Sequence, residues 1–119
     1  MKEDKIGPLN IKSYQFALDI VKLCKDLNVI KKEYILSKQI LRSGTAIGAN
    51  YREVEYASSK QDFIYKLTLS LKEANETIYW LQILFDSDYI TQTQFEKVKP
   101  TCESIISMIL ASIKTAKSR

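Results

Sequence analysis

LRSGTAIGAN at residues 41–50 and LKEANETIYWL at residues 71–81 place glycines, asparagines and carboxylates inside strongly apolar sequence of helical period. An interior glycine costs a helix about 1 kcal/mol relative to alanine, so Gly44 and Gly48, four apart, point to a backbone that another helix approaches closely. The polar residues of the same stretches read as a specified network, because buried polar groups are costly unless they are paired. In that network Glu76 is expected to pair with Arg42 or Arg52, and Asn50 to hydrogen-bond across an interface, with Glu53 and Glu73 nearby. Such a network fixes register at little net gain in stability.

The sequence around these two stretches is helical as well. Glycine and proline number only three and two, and apolar residues at i, i+3, i+4 spacing occupy nearly everything after Ile11. Ser13 is the expected N-cap of a first helix carrying Phe16, Ile20, Leu23, Cys24 and Leu27 and ending near Asn28. A second helix is expected from about Glu33 to the Ala57–Ser59 cluster, and a third, of matching length, from Ser59 to about Phe85. Ser59 followed by Asp62 resembles a capping box, and Thr91 followed by Gln94 opens a fourth helix. Pro100 lies within that fourth helix and predicts a kink, since proline removes one hydrogen bond from the ladder. Short connections make neighbours antiparallel. The fold class is therefore all-α, an up-down-up-down four-helix bundle forming one domain over residues 1–119, with residues 1–10 as a flexible N-terminal segment.

The third helix carries two apolar stripes. Phe63, Leu67, Leu71, Ala74, Ile78, Leu81 and Phe85 form one, while Tyr65, Leu69, Tyr79, Trp80 and Ile83 lie on another side. A lone bundle buries one stripe per helix, so the second predicts docking of further copies and a homo-oligomer.

No chemistry-bearing constellation accompanies this architecture. The chain has no histidine, which removes the usual general base and the Glu-x-x-His ligands of a bundle metal site; an all-carboxylate site built from Glu53, Glu73 and Glu76 is the remaining metal reading. GTAIG lacks the spacing of a phosphate-binding loop. Ser37-Lys38 and Ser59-Lys60 are adjacent pairs that do not face one another on a helix. Cys24 and Cys102 lie on apolar stripes and read as small buried hydrophobes. We therefore expect no catalytic residue, metal, cofactor or small-molecule substrate. No apolar run approaches the roughly 20 residues a bilayer demands, and the N-terminus lacks a signal-peptide core, so the expected location is cytoplasmic with no membrane partner.

The net charge of +4 permits an anionic partner without demanding one. Lys31, Lys32, Lys38, Arg42 and Arg52 gather around the second helix and are the candidate contacts to RNA or DNA. Repeated around a ring of identical subunits, this modest charge would sum to a sizeable positive field.

RSGTAIGANYRE at 42–53 and SKQDFIYKLTLSLKEANETIYWL at 59–81 resemble the bacterial four-helix-bundle proteins named for reading frames in intervening sequences of 23S ribosomal RNA genes. The resemblance spans about residues 11–115, with Ala46 and Tyr51 departing from the Ser and Ile usual there. It implies an antiparallel bundle assembled as a homopentamer, a tapered ring around a central channel, with no established enzymatic activity and an unsettled cellular role. A related group, the accessory proteins of diversity-generating retroelements, is similar in fold and binds nucleic acid and a reverse transcriptase. The reading that follows is a non-enzymatic homo-oligomer with a nucleic-acid-binding surface, and the alternative is a protein-interaction scaffold whose charges only keep it soluble.

Overall fold

The computed structural model describes residues 2–119, with side chains from Gly7 onward. Four α-helices, and no strand among the described residues, fill an envelope of 47 × 21 × 20 Å. They are α1 (Lys2–Val29), α2 (Leu36–Arg52), α3 (Lys60–Asp86) and α4 (Gln92–Lys117), with a 3-10 turn, Glu53–Tyr56, closing α2.

Two of the anticipated caps form. The Ser59 hydroxyl accepts from the Asp62 amide at 3.0 Å, and the Asp62 carboxylate reaches back to the amide of Ser58, not Ser59. Thr91 and Gln94 make the full reciprocal box, at 3.1 and 2.8 Å. These pairings satisfy amides that a helix start otherwise leaves orphaned.

The first helix starts earlier than expected. Ser13 is not a cap: it lies inside α1, fully buried, with its hydroxyl donating to the Asn10 carbonyl. The stripe Leu9, Ser13, Phe16, Ile20 carries the apolar period back to the residue after Pro8, and Leu9 is buried. Residues 7–10 lie within α1, with Leu9 buried and Pro8 exposed; the side chains of residues 1–6 lie outside the described ones.

The second helix is shorter than expected. Glu33 precedes it and folds its carboxylate over the helix start, accepting from the amides of Ile35 (3.0 Å), Leu36 (2.9 Å) and Ser37 (2.8 Å). With the far end tightened into the 3-10 turn, α2 has 17 residues against 27 in α3. Pro100 sits inside an unbroken α4.

Each helix packs on its neighbours in the chain, and α1 meets α4 less extensively. The paired positions run in opposing order. Gly44 lies against Ile20 and Gly48 against Ser13; Ser43 meets Thr77, and Ser70 donates to the Ile47 carbonyl at 2.7 Å. Phe85 stacks on Phe95 with centroids 4.4 Å apart. Phe16, Ile20, Ile47, Leu67, Leu81 and Ile105 are among the buried side chains of the one core.

Candidate functional site

Small residues bring α2 close to both of its neighbours. A Cβ on Gly44 would come within 2.9 Å of Ile20 Cγ1, and one on Gly48 within 3.1 Å of the Ser13 hydroxyl. The close approach read from these glycines is real, and its partner is α1 of the same chain. About 100° further around α2, buried Ser43 shares a hydrogen bond with buried Thr77 of α3.

One residue before Ser43, Arg42 projects onto the exposed side of the same contact and closes a polar cluster. Its guanidinium donates to Glu73 Oε1 at 3.1 Å and to Glu76 Oε2. The indole N–H of Trp80, one turn on, donates to the same Glu76 oxygen at 3.1 Å. Tyr79 meets Trp80 edge to face, with centroids 5.2 Å apart. The Trp80 N–H first, and the Arg42 guanidinium second, hold the Glu76 carboxyl below its ordinary range. Glu76 in turn leads in raising Arg42, which stays charged throughout.

This arrangement takes Arg42, expected to contact nucleic acid, and commits it to two carboxylates. The other basic candidates do not form one patch. Lys31 and Lys32 sit in the α1–α2 connection and Lys38 in the first turn of α2, whereas Arg52 closes the helix 14 residues later, roughly 21 Å away at 1.5 Å per residue. The carboxylates separate as well: the opposing order of α2 and α3 puts Glu53 near the start of α3, far from Glu73 and Glu76. Asn50 is half-buried and Glu53 exposed. Among the described residues, no three carboxylates or cysteines gather in a way that would hold a metal ion.

The profile of the 23S rRNA-intervening sequence protein family matches residues 10–111. The chain belongs to that family. It is similar to a solved protein of unknown function from the S23 ribosomal protein family of Bacteroides thetaiotaomicron, with 50% identity, TM-score 0.88, and coverage of 89% of this chain and 98% of that one. No curated protein matches.

The remaining features of this family member are consistent with an inert interior. Burial pushes the Cys24 thiol up to about 11 and that of Cys102 to about 12, far from a reactive thiolate. A groove of about 1040 Å³ at the end of the bundle, walled by Tyr51, Val54, Phe63 and Ala111, has Lys60 and Arg119 at its edge. Lys60 Nζ donates to the Arg119 main-chain oxygen at 2.6 Å, tying the start of α3 to the end of α4.

Sequence reading missed the hydroxyls of the interior and the role of Glu33. Ser70 and Thr77 interrupt the buried line Leu67, Ala74, Leu81 at helical spacing. Two small hydroxyls on an apolar stripe are the available signal for bonds between helices.

Proposed function

We propose that the chain is the subunit of a non-enzymatic, cytoplasmic homo-oligomer of antiparallel up-down-up-down bundles, a pentamer by its family resemblance, whose basic surface binds RNA or DNA. One observation carries the assembly: Tyr65 and Tyr79 are each 60% exposed on a helix whose other side is the core. Ile11, Tyr14 and Leu18 add an exposed apolar line on α1. Side-by-side docking of copies covers both. The opposing order of the helix pairings supports the topology.

For nucleic acid the contacting set is Lys31, Lys32 and Lys38, with Arg42 held by its two carboxylates and Arg52 at the far end of α2. Absolute mass in solution tests the assembly, and a monomer at high concentration would end it. Affinity for generic RNA should fall steeply as salt rises and drop on reversal of Lys31, Lys32 and Lys38, while Arg42→Ala leaves it unchanged. The capture of Arg42 by Glu73 and Glu76 favours a second reading, a protein-interaction scaffold, which no RNA binding at low salt would select.

A further inference from the structure

Val29, the last residue of α1, and Ile30, Tyr34 and Ile35 in the connection to α2 are 68%, 68%, 58% and 76% exposed. Scattered exposed apolar residues are ordinary; four within seven consecutive residues are not. Lys31 and Lys32 lie between them, and Lys38 is just beyond in the first turn of α2.

The connection is held in shape. Glu33 spans the three amides described above, its own amide donates to the Leu27 carbonyl at 3.0 Å, and the Ser37 hydroxyl donates to Asn28 Oδ1 at 2.9 Å. Lys32 is fixed in the left-handed region at φ 55°. Bound this way, the aliphatic side chains cannot fold back onto the core, and the bundle presents them at its end.

That position separates them from the tyrosines on the flank of α3. Bundles docked flank to flank leave their ends uncovered. Lys31 and Lys32 stand among the aliphatics, with half-buried Asp26 lining the same hollow as Ile30 and Lys31. Only Tyr34 here has an aromatic face on which a base would stack, so RNA uses the lysines and Tyr34 and leaves Val29, Ile30 and Ile35 wet. An anionic lipid surface uses both, with aliphatics entering the acyl boundary, Tyr34 at headgroup depth and ammonium groups among the phosphates.

We propose that the α1–α2 connection docks this protein peripherally on an anionic phospholipid surface. The inference goes beyond the assembly reading and does not depend on it. No described helix is long and apolar enough to cross a membrane, and the sequence reading, which sought a spanning segment, named no membrane partner. A surface-lying tip has no such signature.

Co-sedimentation of the full chain with phosphatidylglycerol–phosphatidylcholine vesicles, and with pure phosphatidylcholine, tests it. The chain should pellet with the anionic vesicles at low salt and weakly with the neutral ones. Ile30→Ser with Ile35→Ser should lower affinity by at least about tenfold, and Lys31→Ser or Lys32→Ser by about fivefold each, with helix content and mass unchanged. Absence of wild-type binding to anionic vesicles, or a serine variant that pellets as wild type, overturns the proposal. So does equal binding to both vesicles. A serine variant with altered mass would give the tip to a second copy, and one that lost only RNA affinity would give it to nucleic acid. Mass and RNA affinity read on the same samples distinguish failure here from failure of the assembly reading.

Discussion

Ser43 and Thr77 join α2 to α3 through their hydroxyls, 2.9 Å apart, with both residues fully buried. Thr77 has a second oxygen neighbour, the Glu73 carbonyl at 2.8 Å, which can only accept, so the Thr77 proton goes there and one of its lone pairs takes the Ser43 proton. Thr77→Val keeps the shape and leaves the buried Ser43 hydroxyl only the long 3.5 Å contact to the Ile40 carbonyl, an expected loss of about 1 kcal/mol in urea unfolding. Adding Ser43→Ala should recover part of that loss, and the cycle should be clearly non-additive.

The two interior glycines should respond differently to alanine. At Gly44 the added methyl meets Ile20 at Cγ1, Cγ2 and Cβ, from 2.9 to 3.3 Å, and a β-branched side chain has little rotamer freedom with which to yield. The overlap outweighs the gain of about 1 kcal/mol in helix propensity, and Gly44→Ala should lose about 1–2 kcal/mol. Gly48→Ala meets a serine hydroxyl at 3.1 Å, which can rotate, so thermal melting should show little change.

Asp88 occupies the left-handed region at φ 65°, just past the end of α3. The Tyr89 amide donates to the Leu84 carbonyl and the Asp88 amide to that of Phe85, the double closure of a Schellman motif. Glycine is the residue best suited to that position. Asp88→Gly should raise stability by about 0.5–1 kcal/mol, seen as a higher melting temperature.

Alkaline pH should unfold the protein through its buried acids. Cys24 rises from 9.0 to about 11, Cys102 from 9.0 to about 12, and Tyr51 from 10.0 to about 12, each through burial. The folded chain therefore holds protons that the unfolded chain releases. Their contribution is complete below pH 9 and is lost as pH rises through the folded values. Denaturation midpoints should fall between about pH 9 and 12, and alkylation of the native thiols at pH 8 should be far slower than in denaturant.

Helix number, the Ser59 and Thr91 caps and most of the core were legible because period and capping are written within a few residues. The start of α1 was not: Ser13 reads as an N-cap, although Leu9 continues the buried stripe before it. Glu33 reads as an ordinary first-turn acid, and only the backbone path at Lys32 aims its carboxylate at three amides. Arg42 fitted two readings equally well, a network partner and a phosphate contact. The choice depends on where Glu73 and Glu76 stand across the helix pair, which spacing along one helix cannot convey. The glycines signalled a close neighbour without naming it, and it proved to be α1.

The slighter contact of α1 with α4 leaves the bundle with one thin seam. Separation of these outer helices sacrifices less buried area than parting α2 from α3, whose contact also holds the hydroxyl pair. Breathing motions therefore begin along the α1/α4 edge, while the central hairpin stays shut, and any partner that must enter the interior has that edge as its door.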